Sequence, residues 1–150
     1  MNRWIAAFAC LLLIGTGLAA ADQTQSTRRY LSADEVREAF VGPPVAGAYT
    51  NGQSWREQMQ ADGSTHYVEE RGTFNGRWWF NARSELCFEY DGNGGGGCFV
   101  YVRLSANCYE HFFEAKKGDS GTDLGSRGLV TNGKLWRANE PPTCEERPTV

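Results

Sequence analysis

Short strand-like segments separated by tight turns recur from Val45 onwards, and this pattern constrains the fold more than any other feature of the chain. Many segments alternate apolar with polar side chains, and they are too short to form long helices. Such spacing is typical of antiparallel barrels and sandwiches. We therefore predict a mainly β protein, a small antiparallel β-barrel or sandwich with one short N-terminal helix. After the first strand at Val45, the predicted strands cover residues 53–60, 64–71, 73–81, 85–90, 98–104, 108–115 and 133–137.

One helix is predicted over residues 32–41, ahead of the strands. Ser32 is followed three residues later by Glu35, which is the spacing of a capping box. Val36, Ala39 and Phe40 fall on one face at helical spacing. A helix this short is marginal alone, so we expect its apolar face to pack on the β domain.

The first 21 residues have the pattern of a signal peptide. Arg3 precedes an apolar run over residues 4–14, and small residues end at Ala21. We expect cleavage near Ala21, a disordered linker over residues 22–30, a single β domain over 31–138 and a tail over 139–150. No later stretch is apolar enough to span a membrane. The mature chain is therefore expected to be exported, periplasmic or extracellular, and soluble.

Charge and cysteine content limit the kinds of binding site and chemistry that the chain can have. The net charge of −3 gives no basic surface for nucleic acid. Cys10 leaves with the signal peptide, and an even number of cysteines in a small exported domain indicates two disulfides. Three pairings are possible. The cysteines lack CxxC spacing, so neither a metal site nor a redox pair is predicted. The four remaining cysteines are Cys87, Cys98, Cys108 and Cys144.

Turn positions suggest which cysteines and which strand residues pair. A hairpin loop over residues 91–94 places Cys87 opposite Cys98 and leaves Cys108 with Cys144. The Asp62-Gly63 dipeptide is typical of a two-residue hairpin loop. A loop of that length pairs Met59 with His66 and turns both towards the core.

Aromatic and aliphatic side chains occupy both faces of the central hairpins. One predicted face carries Val100, Val102, Leu104, Tyr109 and Phe113, and the other carries Leu86, Phe88, Tyr90, Phe99, Tyr101 and Phe112. A sheet with a solvated face does not show this pattern, so a second layer, the helix, a ligand or a partner covers the second face. The candidate binding face is Phe88, Tyr90, Phe99, Tyr101 and Phe112.

No catalytic motif is present, and no catalytic residue is assigned. His66 and His111 are the two imidazoles, and each has glutamates nearby in sequence. Adjacent residues of a strand point to opposite faces, which separates His111 from Glu110. The many glutamates, Glu57 among them, single out no glycosidase pair. The glycine run over residues 94–97 lacks the Lys-Ser/Thr and the helix of a phosphate-binding loop.

Several of these segments together resemble a family of small exported bacterial proteins of unknown function, number nine-nine-five in the usual domain series. The similarity covers about residues 31–115. It implies a periplasmic location, a lipocalin-like β fold and a Cys87–Cys98 bridge, and it carries no catalytic residues. The matching segments are Leu31-Ser32-Ala33-Asp34-Glu35-Val36, Trp55 before Ala61-Asp62-Gly63, Gly76-Arg77-Trp78 before Leu86-Cys87-Phe88-Glu89-Tyr90, and Gly97-Cys98.

The sequence favours a non-catalytic binding module for a small apolar ligand or an envelope protein partner, without a cofactor. One alternative is an envelope hydrolase that uses His66 or His111 with a nearby carboxylate. The other is a structural or stress-related envelope protein that acts through protein contacts.

Overall fold

A computed structural model describes residues 29–114 and 128–144. In this part of the chain, one helix is followed by eight antiparallel strands that close into a barrel, in which β1 pairs with both β2 and β8. The mainly β prediction is confirmed, and of the two predicted architectures the structure forms the barrel. The elements are α1 (Ala33–Phe40), β1 (Val45–Tyr49), β2 (Ser54–Met59), β3 (Ser64–Glu69), β4 (Gly72–Phe80), β5 (Leu86–Tyr90), β6 (Gly96–Ser105), β7 (Cys108–Glu114) and β8 (Leu129–Arg137).

The N-terminal helix forms where it is predicted and has the predicted cap at Ser32, but it spans Ala33–Phe40 and is one residue shorter at each end than the predicted 32–41. The Glu35 backbone N–H donates to Ser32 Oγ, and the Glu35 carboxylate accepts from the Ser32 backbone N–H. These two bonds satisfy N–H groups that have no partner within the helix. Val36, Ala39 and Phe40 are the buried residues of α1, and they belong to the main core cluster. The helix therefore packs on the barrel, as its apolar stripe requires.

The β2–β3 hairpin differs from the prediction by one residue. Gln58, not Met59, pairs with His66, and Met59 pairs with Thr65. The reason is a three-residue loop, in which Gly63 adopts a positive φ of 89° after the turn. Met59 is buried, whereas His66 is exposed on the outer face.

The predicted cysteine pairing is confirmed. Cys87 and Cys98 are direct partners across β5 and β6 and form a disulfide. Cys108 at the start of β7 is joined to Cys144, which ties the segment after β8 to the barrel. Asn107 strengthens this attachment, because its amide nitrogen donates to the backbone oxygens of Arg137, Glu140 and Pro141.

The β6–β7 hairpin also departs from the predicted register. A shift between Arg103 and Ser105 changes the pairing, so that Phe112 lies opposite Val100 and His111 opposite Tyr101. Because neighbouring side chains point to opposite faces, one residue of shift exchanges the two sides of β7. Tyr109 and Phe113 consequently face the interior, and Phe112 faces outwards.

A separate apolar cluster covers the outer face of the barrel at β6–β8. Its buried members are Val100, Val102, Phe112 and Leu129, with Tyr30 and Leu104 packed against them. Tyr30 forms a bridge with Val102, and the Leu31 N–H donates to the Tyr101 carbonyl. The chain is thus already attached to the sheet at Tyr30, the last residue of the predicted linker.

Several predictions fall partly or wholly outside the described residues. The signal peptide, most of the linker and the end of the tail belong to this group. Strand β8 begins at Leu129, four residues before the predicted start. In residues 29–114 and 128–144, no helix is long and apolar enough to cross a bilayer.

Candidate functional site

The barrel holds a cavity of about 790 Å³ whose interior lining is mostly aromatic. That volume lies within the range of roughly 300–1,000 Å³ that is usual for small-molecule sites. The cavity takes its shape from side chains that alternate inwards along the strands. The interior lining residues are Tyr49, Trp55, Glu57, Tyr67, Phe88, Tyr90, Phe99, Tyr101, His111 and Phe113.

The helix and the core beneath it close one end of this cavity. Phe40 at the end of α1 is fully buried, with ring centroids 5.2 Å from Tyr101 and 4.9 Å from Tyr109. Arg71 and Gly95 also line the cavity, and both are exposed. They follow the ends of β3 and β5 that point away from α1, so the cavity reaches solvent at that end.

Strand β2 brings the most unusual side chain into the interior. Its burial alternates, so Trp55, Glu57 and Met59 all point inwards. Trp55 can lie flat against β1 because Gly47 has no side chain, and a Cβ at Gly47 would collide with the indole ring. Glu57 lies between two apolar neighbours and is 5% exposed.

Two hydroxyl groups hold the Glu57 carboxyl group in place. Tyr90 Oη donates to Glu57 Oε1 at 2.7 Å, and Thr65 Oγ1 donates to the same oxygen at 2.8 Å. Burial raises the pKa of Glu57 to about 7, although both hydrogen bonds act in the opposite direction. Desolvation disfavours the charged form and therefore dominates. Glu57 is consequently poised between its neutral and charged forms near neutral pH.

A chain of polar groups runs from the cavity wall to its open end. The hydroxyl oxygens of Tyr49 and Tyr67 are 2.5 Å apart, and Tyr67 Oη donates to Glu69 at 3.2 Å. Glu69 in turn forms an ion pair with Arg71 at the rim. Burial is the main cause of the raised pKa values of Tyr49 and Tyr67, so both phenols stay protonated at neutral pH.

Stacked rings form one continuous apolar surface in the cavity. The Tyr67 and Tyr90 rings are 4.9 Å apart with 26° between their planes, and Phe88 stacks on Tyr90 at 5.8 Å. Contacts of this geometry stabilise aromatic clusters beyond the area that they bury. The surface is suited to another flat ring or to a positively charged group.

His111 and Trp55 each present a buried nitrogen atom that has no hydrogen-bond partner in the part of the chain that the structure describes. His111 is 4% exposed, and its ring packs near Trp55, Phe99 and Tyr101. Burial lowers the pKa of His111 to about 3, so the imidazole is neutral at physiological pH. His111 Nε2 and Trp55 Nε1 make no hydrogen bond with any described residue. Such atoms cost free energy unless a bound molecule or water satisfies them.

The predicted binding face is largely, but not wholly, brought together. Phe88, Tyr90, Phe99 and Tyr101 line the cavity. Phe112 was placed on the wrong face, since the register shift in β6–β7 sends it to the outer cluster.

Sequence reasoning did not single out Glu57, Tyr49, Tyr67 or Trp55 as site residues. The signal for Glu57 was present, because it lies two residues from both Trp55 and Met59 on a strand with alternating burial. A carboxylate on the apolar side of a strand is an anomaly that indicates a site.

The structure does not assemble the pair that the hydrolase alternative requires. His66 lies on the outer face, where its Nδ1 is 2.9 Å from Asn75 Oδ1. Glu110 faces outwards and accepts a hydrogen bond from Thr131, away from the His111 ring. Within residues 29–114 and 128–144, neither imidazole is hydrogen-bonded to a carboxylate, and no cluster of potential metal ligands occurs.

No family model matches this chain, and no curated protein matches it. The functional assignment therefore depends on the geometry of the cavity.

Proposed function

We propose that the protein is a non-catalytic binding module that holds one small, flat, largely apolar molecule inside its barrel. The observation that carries this proposal is the cavity itself, whose aromatic walls contain two buried nitrogen atoms that have no hydrogen-bond partner in residues 29–114 and 128–144. If the barrel interior served only to stabilise the fold, side chains would be expected to fill it.

The wall chemistry supports a ligand with a ring and at least one hydrogen-bonding group. The ring would lie against the stacked Tyr67, Tyr90 and Phe88 side chains. The Trp55 N–H would donate to an acceptor on the ligand, which would remove the cost of an unpaired buried donor. Small-molecule sites combine apolar walls and a few fixed polar groups in this way.

The location is part of the same proposal. Two disulfides are typical of proteins that fold in an oxidising compartment. The apolar N-terminal run and the resemblance to an exported bacterial family favour the periplasm. A carrier or sensor of a small molecule in the cell envelope fits these features.

Native mass spectrometry of the protein purified from its own envelope, without denaturation, tests the proposal. We expect a small molecule bound one to one and lost on collisional activation. Trp55→Phe keeps a ring but removes the N–H group, and it should lower the occupancy. Trp79→Phe is the matched control, because Trp79 is 41% exposed on the outer face.

The bare mass of the mature chain, together with a cavity that takes up no flat aromatic probe, would contradict the proposal. A bound protein would favour the interaction-protein alternative.

A further inference from the structure

We infer that the molecule held in the barrel is an organic cation, an amine on a flat apolar body, whose ammonium group lies beside the Glu57 carboxylate and the tyrosine rings around it. This inference rests on the proposed function and names the ligand class of the same cavity.

The charges of the cavity wall are the first support. The described partners of Glu57 are the hydroxyls of Tyr90 and Thr65, and neither carries a positive charge. The wall also contains two guanidinium groups, but each is already paired with carboxylates. Arg71 pairs with Glu69, and Arg83 pairs with Glu85 and Glu114. Glu57 is thus a buried carboxyl group without a cationic partner among the described residues.

The rings next to Glu57 supply the second support. Tyr90, which donates to Glu57, has ring contacts with both Tyr67 and Phe88. The faces of such rings carry negative electrostatic potential, and clusters of them bind ammonium groups. The imidazole of His111 is neutral and places no positive charge in the cavity. An anionic ligand would meet a carboxyl group and several ring faces, and both would repel it.

The third support comes from the Trp55 N–H, which has no partner among the described residues. It is buried in the same cavity wall and requires an acceptor. An amine whose ring or side chain also carries an acceptor atom would satisfy it. The Glu57 and Trp55 side chains share one face of β2, so one ligand can contact both.

Binding of a cation in this position makes affinity depend on pH. The ionisable groups around Glu57 are Tyr67 and Glu69 on β3, Tyr90 on β5, Tyr101 on β6, His111 on β7 and Tyr49 on β1. Burial raises the pKa values of the four tyrosines, His111 is neutral, and Glu69 is paired with Arg71, so Glu57 is the group whose charge changes near pH 7. Because an ammonium binds the charged form, affinity rises as Glu57 ionises.

The test compares two probes of equal shape, tryptamine and its neutral counterpart tryptophol, by isothermal titration calorimetry at pH 6 and pH 8. The affinity for tryptamine should fall about tenfold from pH 8 to pH 6, in proportion to the ionised fraction of Glu57. Tryptophol should bind at least about tenfold more weakly than tryptamine at pH 8, because it forms no ion pair. Glu57→Gln retains acceptors for Tyr90 and Thr65, and it should abolish both differences. Glu89→Gln removes an exposed carboxylate from the outer face of β5 and should preserve them.

Equal binding of both probes at both pH values, unchanged in Glu57→Gln, would overturn the inference and leave the proposed function standing. If neither probe binds, the co-purified molecule decides: an amine supports the inference, and a neutral or acidic molecule overturns it. Absence of any bound molecule overturns the inference and the proposed function together.

Discussion

Tyr90 donates its hydroxyl proton to Glu57 at 2.7 Å, although 33 residues separate the two in sequence. This bond links β5 to β2 across the interior of the barrel. It holds a carboxyl group in an apolar cavity, where the charged form is unfavourable unless a cation accompanies it. The Glu57 carboxyl group therefore lowers the stability of the folded protein, and it is the group that the proposed cationic ligand would contact.

Glu57 should make the protein less stable as the pH rises. Its pKa is about 7 in the folded protein and near 4.5 when exposed, so the folded state holds the extra proton between these values. The contribution of Glu57 to the free energy of unfolding should fall by roughly 3 kcal/mol across this window. Glu57→Gln should lack this decrease and be more stable than the wild type at pH 8. Urea unfolding at pH 4.5 and pH 8 measures the difference, with Glu89→Gln as the control. Equal pH dependence in Glu57→Gln and the wild type would contradict a raised pKa.

His111 should have the opposite effect in acid. Its pKa is about 3 in the folded protein against 6.5 when exposed, so the unfolded state takes up the extra proton as the pH falls below 6.5. The stability contributed by the neutral imidazole is full above pH 6.5 and is lost progressively towards pH 3. At pH 4.5 this amounts to roughly 3 kcal/mol.

The comparison of His111→Gln with His66→Gln isolates this effect from the opposing contribution of Glu57. Both variants replace an imidazole with an amide, but His66 lies on the outer face. His111→Gln should lose acid sensitivity, whereas His66→Gln should follow the wild type between pH 7.5 and pH 4.5. Parallel curves for all three proteins would show that His111 is accessible to protons in the folded state.

Phe40 should contribute strongly to stability, because it covers the end of the barrel interior on which α1 packs. Its side chain is fully buried against Tyr101 and Tyr109. Phe40→Ala should reduce the free energy of unfolding by about 3–5 kcal/mol, since it leaves a void in the core. Glu38→Ala, on the exposed face of the same helix, should change stability by less than about 0.5 kcal/mol. Chemical denaturation measures both, and a small effect at Phe40 would show that α1 is only loosely docked.

The two disulfides should contribute unequally to stability. The chain-entropy model assigns about 3 kcal/mol to the shorter loop and about 4 kcal/mol to the longer one. Cys87 and Cys98 are 11 residues apart, and Cys108 and Cys144 are 36 apart. Double Cys→Ser variants of each pair, unfolded in guanidinium, should follow this order. The detection of free thiols in the exported wild-type protein would contradict the pairing itself.

The features that depend only on residues close together in sequence could be predicted. The capping box at Ser32 and Glu35 specifies the helix start within one turn, and the glycine-rich loop places Cys87 opposite Cys98. The registers of the two hairpins were harder to predict, because one extra residue in a loop or strand changes the pairing of all the residues that follow. Gly63 lengthens one loop by a residue, and the shift after Arg103 reverses the faces of β7, which misplaced Phe112.

Barrel closure and the cavity could not be predicted from local patterns. Closure depends on the pairing of β1 with β8, as in the contact of Val45 with Arg137. The polar contacts of the site join residues from distant strands, such as Tyr49 with Tyr67 and Glu57 with Tyr90. Their proximity follows from the tertiary fold and leaves little local signal, apart from the position of Glu57 between two core residues.

A crystal structure of the protein purified from its own envelope, without unfolding, tests the central claim most directly. The claim predicts electron density for one small molecule in the cavity, with a ring against Tyr90 and a polar atom within hydrogen-bonding distance of Trp55 Nε1. A cavity in which only water contacts Trp55 and Glu57 would contradict the claim, provided that the protein was never unfolded or stripped of ligand.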